Sequence, residues 1–206
     1  MDMTEKEKNM AKIGIKKIDV TIKGMAGSPL VIHAFAEKAK QEIRDKQQKK
    51  ATRTKEERRP EEEAKAAKYI DGQGRECAPI TAIKKSLVSA GTAFDGLTKV
   101  GLRQAIFVDS QDEPGSAIVP ILNLDGSPAI GVTREDAVTI GINTRSLAYR
   151  PEYKTWKIRL SFEYNSRIIS EEQLLALIDQ AGWGVGICEG RPEKTSALGW
   201  GRFERG

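Results

Sequence analysis

The segment between Tyr153 and Gly206 constrains this chain more than any other, because it dictates a strand, a helix and a stop in that order. Trp156, Ile158, Leu160, Phe162 and Tyr164 alternate with Lys157, Arg159, Ser161 and Glu163. A period of two puts the apolar set on one face of a strand, so that face must be covered. Ser170 and Gln173 stand at capping-box spacing ahead of Leu174, Leu175, Leu177 and Ile178, which predicts a helix that Gly182 stops. Beyond it, Gly184, Gly186, Gly190, Gly199 and Gly201 surround Arg191, Lys194 and Arg202.

The rest of the chain supplies partners for that unit. Residues 1–11 are polar and read as a disordered N-terminus. Ile13, Ile15, Ile18, Val20 and Ile22 mark a long first strand, and the change of phase between Ile15 and Ile18 predicts a bulge. Gly24, Gly27 and Pro29 break it, and residues 30–35 read as a short second strand. Pro79 suits the first turn of a helix over 79–90, with Ile80, Ile83, Leu87 and Val88 as its buried stripe and Gly91 as its end. Residues 103–109 and 116–122 read as short apolar strands, Asp125-Gly126 as a hairpin-type turn, and 128–150 as strand or short helix. The order approximates two β-α-β halves, which predicts an α+β fold: a ferredoxin-like or RRM-like antiparallel sheet with helices on one face.

Residues 36–68 interrupt that order with a long charged insertion after the first strand. They hold 12 Lys/Arg against 8 Asp/Glu, a net of +4, so most of the chain's formal +5 sits there. Ile43 is their only large aliphatic residue, so they are expected to form an exposed helical or flexible arm interrupted at Pro60. The remainder, 12–206, reads as one domain carrying this arm. With 31% charged residues, a charged N-terminus and no apolar run of membrane length, the chain is expected in the cytoplasm. Cys77 and Cys188 fit free thiols in a reducing compartment.

The residues offer little for catalysis. His33 is the one histidine, with no local nucleophile to serve, and a histidine in an apolar strand is ordinarily structural. Clustered metal ligands are absent from the sequence, and the Gly182-Gly184-Gly186 spacing lacks a P-loop ending, so no enzyme activity and no cofactor are expected. The glycine-rich ending is different. Glycines leave main-chain N–H groups open to phosphate, arginines supply bidentate contacts, and aromatic rings stack on unpaired bases. The alternative is that the glycines permit tight packing; Trp183 and Phe203 are expected in the core. The candidate nucleic-acid contacts are Lys84, Lys85, Arg191, Lys194 and Arg202, with Lys49, Lys50 and Arg53 on the charged arm.

Three stretches resemble the RAMP superfamily of ferredoxin-like RNA-binding proteins, notably the backbone subunits of CRISPR effectors. IDVTIKGMAGSPLVIHAF is similar to the family's opening strand and turn, CAPITAIKKSLVSAG to its first helix entry, and GICEGRPEKTSALGWGRFE to its terminal glycine-rich loop. The layout is also similar to small proteins encoded by bacteriophages and prophages. The resemblance implies a protein that binds single-stranded RNA or DNA without cutting it and assembles side by side into a filament or multi-subunit complex, in a bacterial host. The alternative is an accessory or anti-defence protein that uses the same fold to engage a host complex without nucleic acid. A ribonuclease using His33 or Asp45 is the third reading.

Overall fold

The computed structural model describes residues 14–34, 44, 59–140, 144–195 and 198–206. Its centre is the alternating strand β9 (Lys157–Asn165), which lies between β1 (Ile15–Gly24) and β5 (Ile106–Ser110). The short strand β10 (Phe203–Arg205) completes the sheet in the order β10-β1-β9-β5, with every pairing antiparallel. Ile158, Leu160, Phe162 and Tyr164 are all buried, as period two requires. β1 and β9 run in unbroken register from Ile15 opposite Asn165 to Lys23 opposite Lys157. The expected bulge is therefore absent; Ile15 is simply exposed at the strand's start.

Two helices cover the apolar face. The first, Ile80–Ala90, buries Ile83 and Leu87; the second, Glu171–Gln180, buries Leu174, Leu177 and Ile178. Both stripes join one core with Val20, Ile22, Leu160 and Phe162. The order strand, helix, strand, strand, helix, strand with a 4-1-3-2 sheet is the ferredoxin-like, RRM-like arrangement expected. The second helix is closed by a complete capping box between Ser170 and Gln173. The opposite face of the sheet carries Asp19 and Glu163 beside Lys17 and Arg159, with Phe107 as an exposed ring. It is a mixed-charge surface rather than an aromatic one.

The helices whose full length lies among the described residues are, in chain order, α1 (Pro60–Ala66), α2 (Ile80–Ala90), α3 (Lys99–Ala105) and α4 (Glu171–Gln180). α1 lies inside the charged segment. Pro60 opens it rather than breaking it, since the first helical position has no N–H to lose. Ala64 and Ala67 are buried, so small side chains give this helix a packed face without large apolar residues. The rest of the 36–58 stretch, like residues 1–11, lies outside the described residues apart from Arg44. α3 takes the first half of the strand expected at 103–109, because Thr98 caps a helix start by accepting from Gly101 N.

Residues 128–150, ambiguous in sequence, enter a long antiparallel hairpin of β7 (Val132–Ile140) and β8 (Thr144–Tyr153). β8 also pairs with β2 (Leu30–Val31), all that forms of the strand expected at 30–35. A third small sheet joins β3 (Tyr69–Ile70), β4 (Glu76–Pro79) and β6 (Ile118–Pro120). None of the helices is long and apolar enough to cross a membrane, among the described residues.

Glu76 fastens these additions to one another. Its carboxylate accepts from Lys68 Nζ at 2.6 Å, Gly131 N at 2.8 Å and Tyr153 OH at 2.7 Å. Burial alone pulls its pKa up, but the bonds from Lys68, Gly131 and Tyr153 outweigh it and hold the group below the ordinary 4.5. Glu76→Gln is expected to cost about 1–3 kcal/mol in urea unfolding at neutral pH, because the neutral amide cannot serve all three donors. A carboxyl with a depressed folded pKa gives stability that is present above the unfolded value and lost as pH falls through the folded one. The difference between wild type and variant should therefore shrink below about pH 4.5.

Candidate functional site

The glycine-rich ending is built around a turn that it clasps. α4 gives way to a wider turn at Ala181–Val185, after which the chain folds back on residues 25–31. Gly201 N donates to Pro29 O at 2.8 Å, Ile187 N to Gly201 O at 3.0 Å, and Glu189 N to Val31 O at 3.1 Å. Trp200 N donates to Gly190 O at 3.1 Å. Two glycines are required by geometry. Gly201 has φ 64° and backs onto the main chain of Ile187; Gly190 has φ 62° and lies under the Trp200 ring. Much of the main chain that could have cradled a phosphate is thus engaged internally, and close packing is what these glycines serve.

Ser28 anchors the clasp. It is 2% exposed, and its hydroxyl accepts from Arg202 N at 3.0 Å while donating to Gly199 O. Its carbonyl accepts from the indole Nε1 of Trp156 at 3.1 Å. The opening turn, the central strand and the last loop therefore meet at one residue.

The clasp displays two groups of candidate side chains. At one, Arg202 donates to Trp183 O at 3.1 Å and its guanidinium lies 4.1 Å from the centre of the Trp183 ring. Trp183 is 63% exposed, which corrects the expectation that it fills the core; Phe203 is buried as expected. The reason is position: the wide turn leaves Gly182 against the Phe203 main chain and turns its neighbour outward. At the other, Lys85 and Arg191 line a cleft of about 230 Å³ with His33, Thr81 and Glu189. Arg191 is held by Cys188 O at 2.9 Å and Glu193 at 3.1 Å. Burial, then the nearby charge of Arg150, press His33 below its usual pKa, so it is mainly neutral at pH 7. Cys188 also lines this cleft, but burial pushes its thiol up to about 12 and keeps it protonated.

Lys84 takes a different place. Its ammonium turns inward to the carbonyls of Leu102 at 3.2 Å and Arg103 at 3.1 Å, and to that of Ile106, closing the end of α3. Burial lowers its pKa to about 8. Lys194 is exposed on the turn after Arg191. Lys49, Lys50, Arg53 and Asp45 lie outside the described residues. Two features escaped the sequence. One is the outward Trp183. The other is Arg134, from the hairpin, which lies 4.1 Å from the Trp200 ring centre while bonded to Asp136 at 2.8 Å.

No protein-family model matches the chain, and neither does any of the curated proteins compared with it. Among solved structures it is similar to Cmr6 from Pyrococcus furiosus, with 11% sequence identity, a TM-score of 0.42, and coverage of 95% of this chain and 100% of that one.

Ser28→Ala tests the clasp. It would strand the Arg202 amide and the Gly199 carbonyl, and is expected to cost about 1–3 kcal/mol in chemical unfolding. Hydrogen exchange should speed up at Arg202 and Gly201 more than at Leu160 or Phe162.

Proposed function

We propose that the protein is a non-enzymatic single-stranded nucleic-acid-binding protein that grips RNA or single-stranded DNA along its C-terminal clasp. The observation that carries this reading is the exposed Trp183 ring backed by the Arg202 guanidinium at 4.1 Å. A flat aromatic surface held in the open and paired with fixed positive charge suits a base that stacks and a phosphate beside it. Arg202 is tethered to the main chain of Trp183, so little of its freedom remains to be lost on binding. Lys85, Arg191 and Lys194 extend positive charge over the same loop and the neighbouring helix α2. The mixed-charge open face of the sheet favours the clasp over the sheet as the binding surface. Association side by side along the strand belongs to the same proposal.

Fluorescence anisotropy with labelled oligo(dT) and oligo(U), at low and high salt, is the test. Affinity should fall steeply as salt rises. Trp183→Ala should weaken binding by about 1–3 kcal/mol, roughly five- to 150-fold in Kd. Arg191→Gln should lower the slope of log K against log salt by about 1. Light scattering should show mass growing with oligonucleotide length. Absence of binding at low salt would remove the proposal, and cleavage of the RNA in the presence of divalent metal would remove its non-enzymatic part.

A further inference from the structure

A wide groove lies on a different surface from the Trp183 platform. It is a groove of about 690 Å³ between α2 and the edge of the main sheet, within the size range of a ligand site. One wall is a stripe of α2 at helical spacing, Ile80, Lys84 and Val88. The other is β5, through Ile106, Phe107 and Val108. Lys99 and Arg103, one turn apart on α3, stand at its rim with Lys85. The charge is one-sided: the lining contains four cations and no carboxylate. Phe107 is 61% exposed there, with Lys84 Nζ 5.4 Å from its ring centre.

β5 is an edge strand, paired only with β9 among the described strands. Gln111 N donates to Arg159 O, which fixes the alternation: Phe107 and Asp109 direct their main-chain groups toward β9. Ile106, Val108 and Ser110 direct theirs to the open side. Lys84 satisfies the Ile106 carbonyl, leaving Val108 as the main-chain donor and acceptor facing the groove. A helix on one side and a strand edge open at Val108 on the other is a geometry in which an extended peptide can pair with the strand.

We propose that this groove receives an extended, acidic segment of a partner protein, paired with β5 and anchored by an apolar side chain between Val88 and Phe107. The carboxylates would meet Lys99 and Arg103, and the apolar anchor would cover surface that a bare polyanion leaves wet. That apolar wall is what favours a peptide over a nucleic acid here. The proposal does not depend on the nucleic-acid reading, since Lys99 and Arg103 belong to neither the Trp183 platform nor the His33 cleft.

A displayed library of random short peptides, panned against the full chain, tests it. The enriched peptides should carry Asp or Glu on both sides of a Leu, Ile or Phe. Lys99→Glu with Arg103→Glu should weaken a resynthesised winner by at least about tenfold while leaving oligo(dT) binding unchanged. Methylating alternate main-chain nitrogens of the winner should also abolish binding, since strand addition needs those N–H groups. No enrichment, enrichment of basic or uncharged sequences, indifference to the double variant, or tolerance of N-methylation would each overturn the proposal. Loss of oligo(dT) binding in the double variant would overturn it as well, because the groove would then be a nucleic-acid surface.

Discussion

Every polar group of one small residue is in use at the point where the two ends of this fold meet. Ser28 donates its amide to Met25, lends its carbonyl to the Trp156 indole, and uses its hydroxyl both to accept from Arg202 and to donate to Gly199. Buried polar groups are tolerated only when satisfied, and here satisfaction requires the opening turn, the central strand and the last loop to be present together. The Trp183–Arg202 pair inherits its position from that arrangement, because Arg202 is held through its own amide as well as its guanidinium. A loop rich in glycine is thus tied at defined points to the opening turn.

The central elements were legible because burial writes a period into the sequence. Trp156 to Tyr164 alternate because one face of β9 is covered, and Ser170 with Gln173 announces α4 because helix ends need those side chains. The hairpin of β7 and β8 left no such mark. Its strands are joined by main-chain pairing and carry charge on their side chains, with Arg134 bonded to Asp136 beside it and to Glu152 across the pair, while Val132 and Leu147 remain exposed. Ion pairs across strands carry no apolar period, so the segment looked equally like helix or strand. α1 was hidden for a related reason: alanines suffice where a helix approaches its neighbour closely.

At the site, residue type was readable and direction was not. The sequence shows that Lys84 and Lys85 are adjacent; only the fold shows that one closes α3 while the other faces solvent. It shows a tryptophan after a helix, and helix ends usually bury such a ring. The wide turn at Ala181–Val185 reverses that outcome. Lys85 stands on a ridge between two hollows, the small cleft of His33 and Arg191 and the large groove of Val88 and Phe107. One hollow joins its charge to a neutral histidine, the other to an apolar floor, so the two differ in chemistry although they share Lys85.

The pairing of β1 with β10 has a consequence for synthesis. Ile22 faces Arg205, so this part of the β1 edge is covered by a segment translated long after it. Until then Ile22, Lys23 and Gly24 lack their outer partners, beside the apolar space that Phe203 fills. Contacts so distant along the chain form late and slowly. The pair between β1 and β10 is therefore of the kind that forms late in folding.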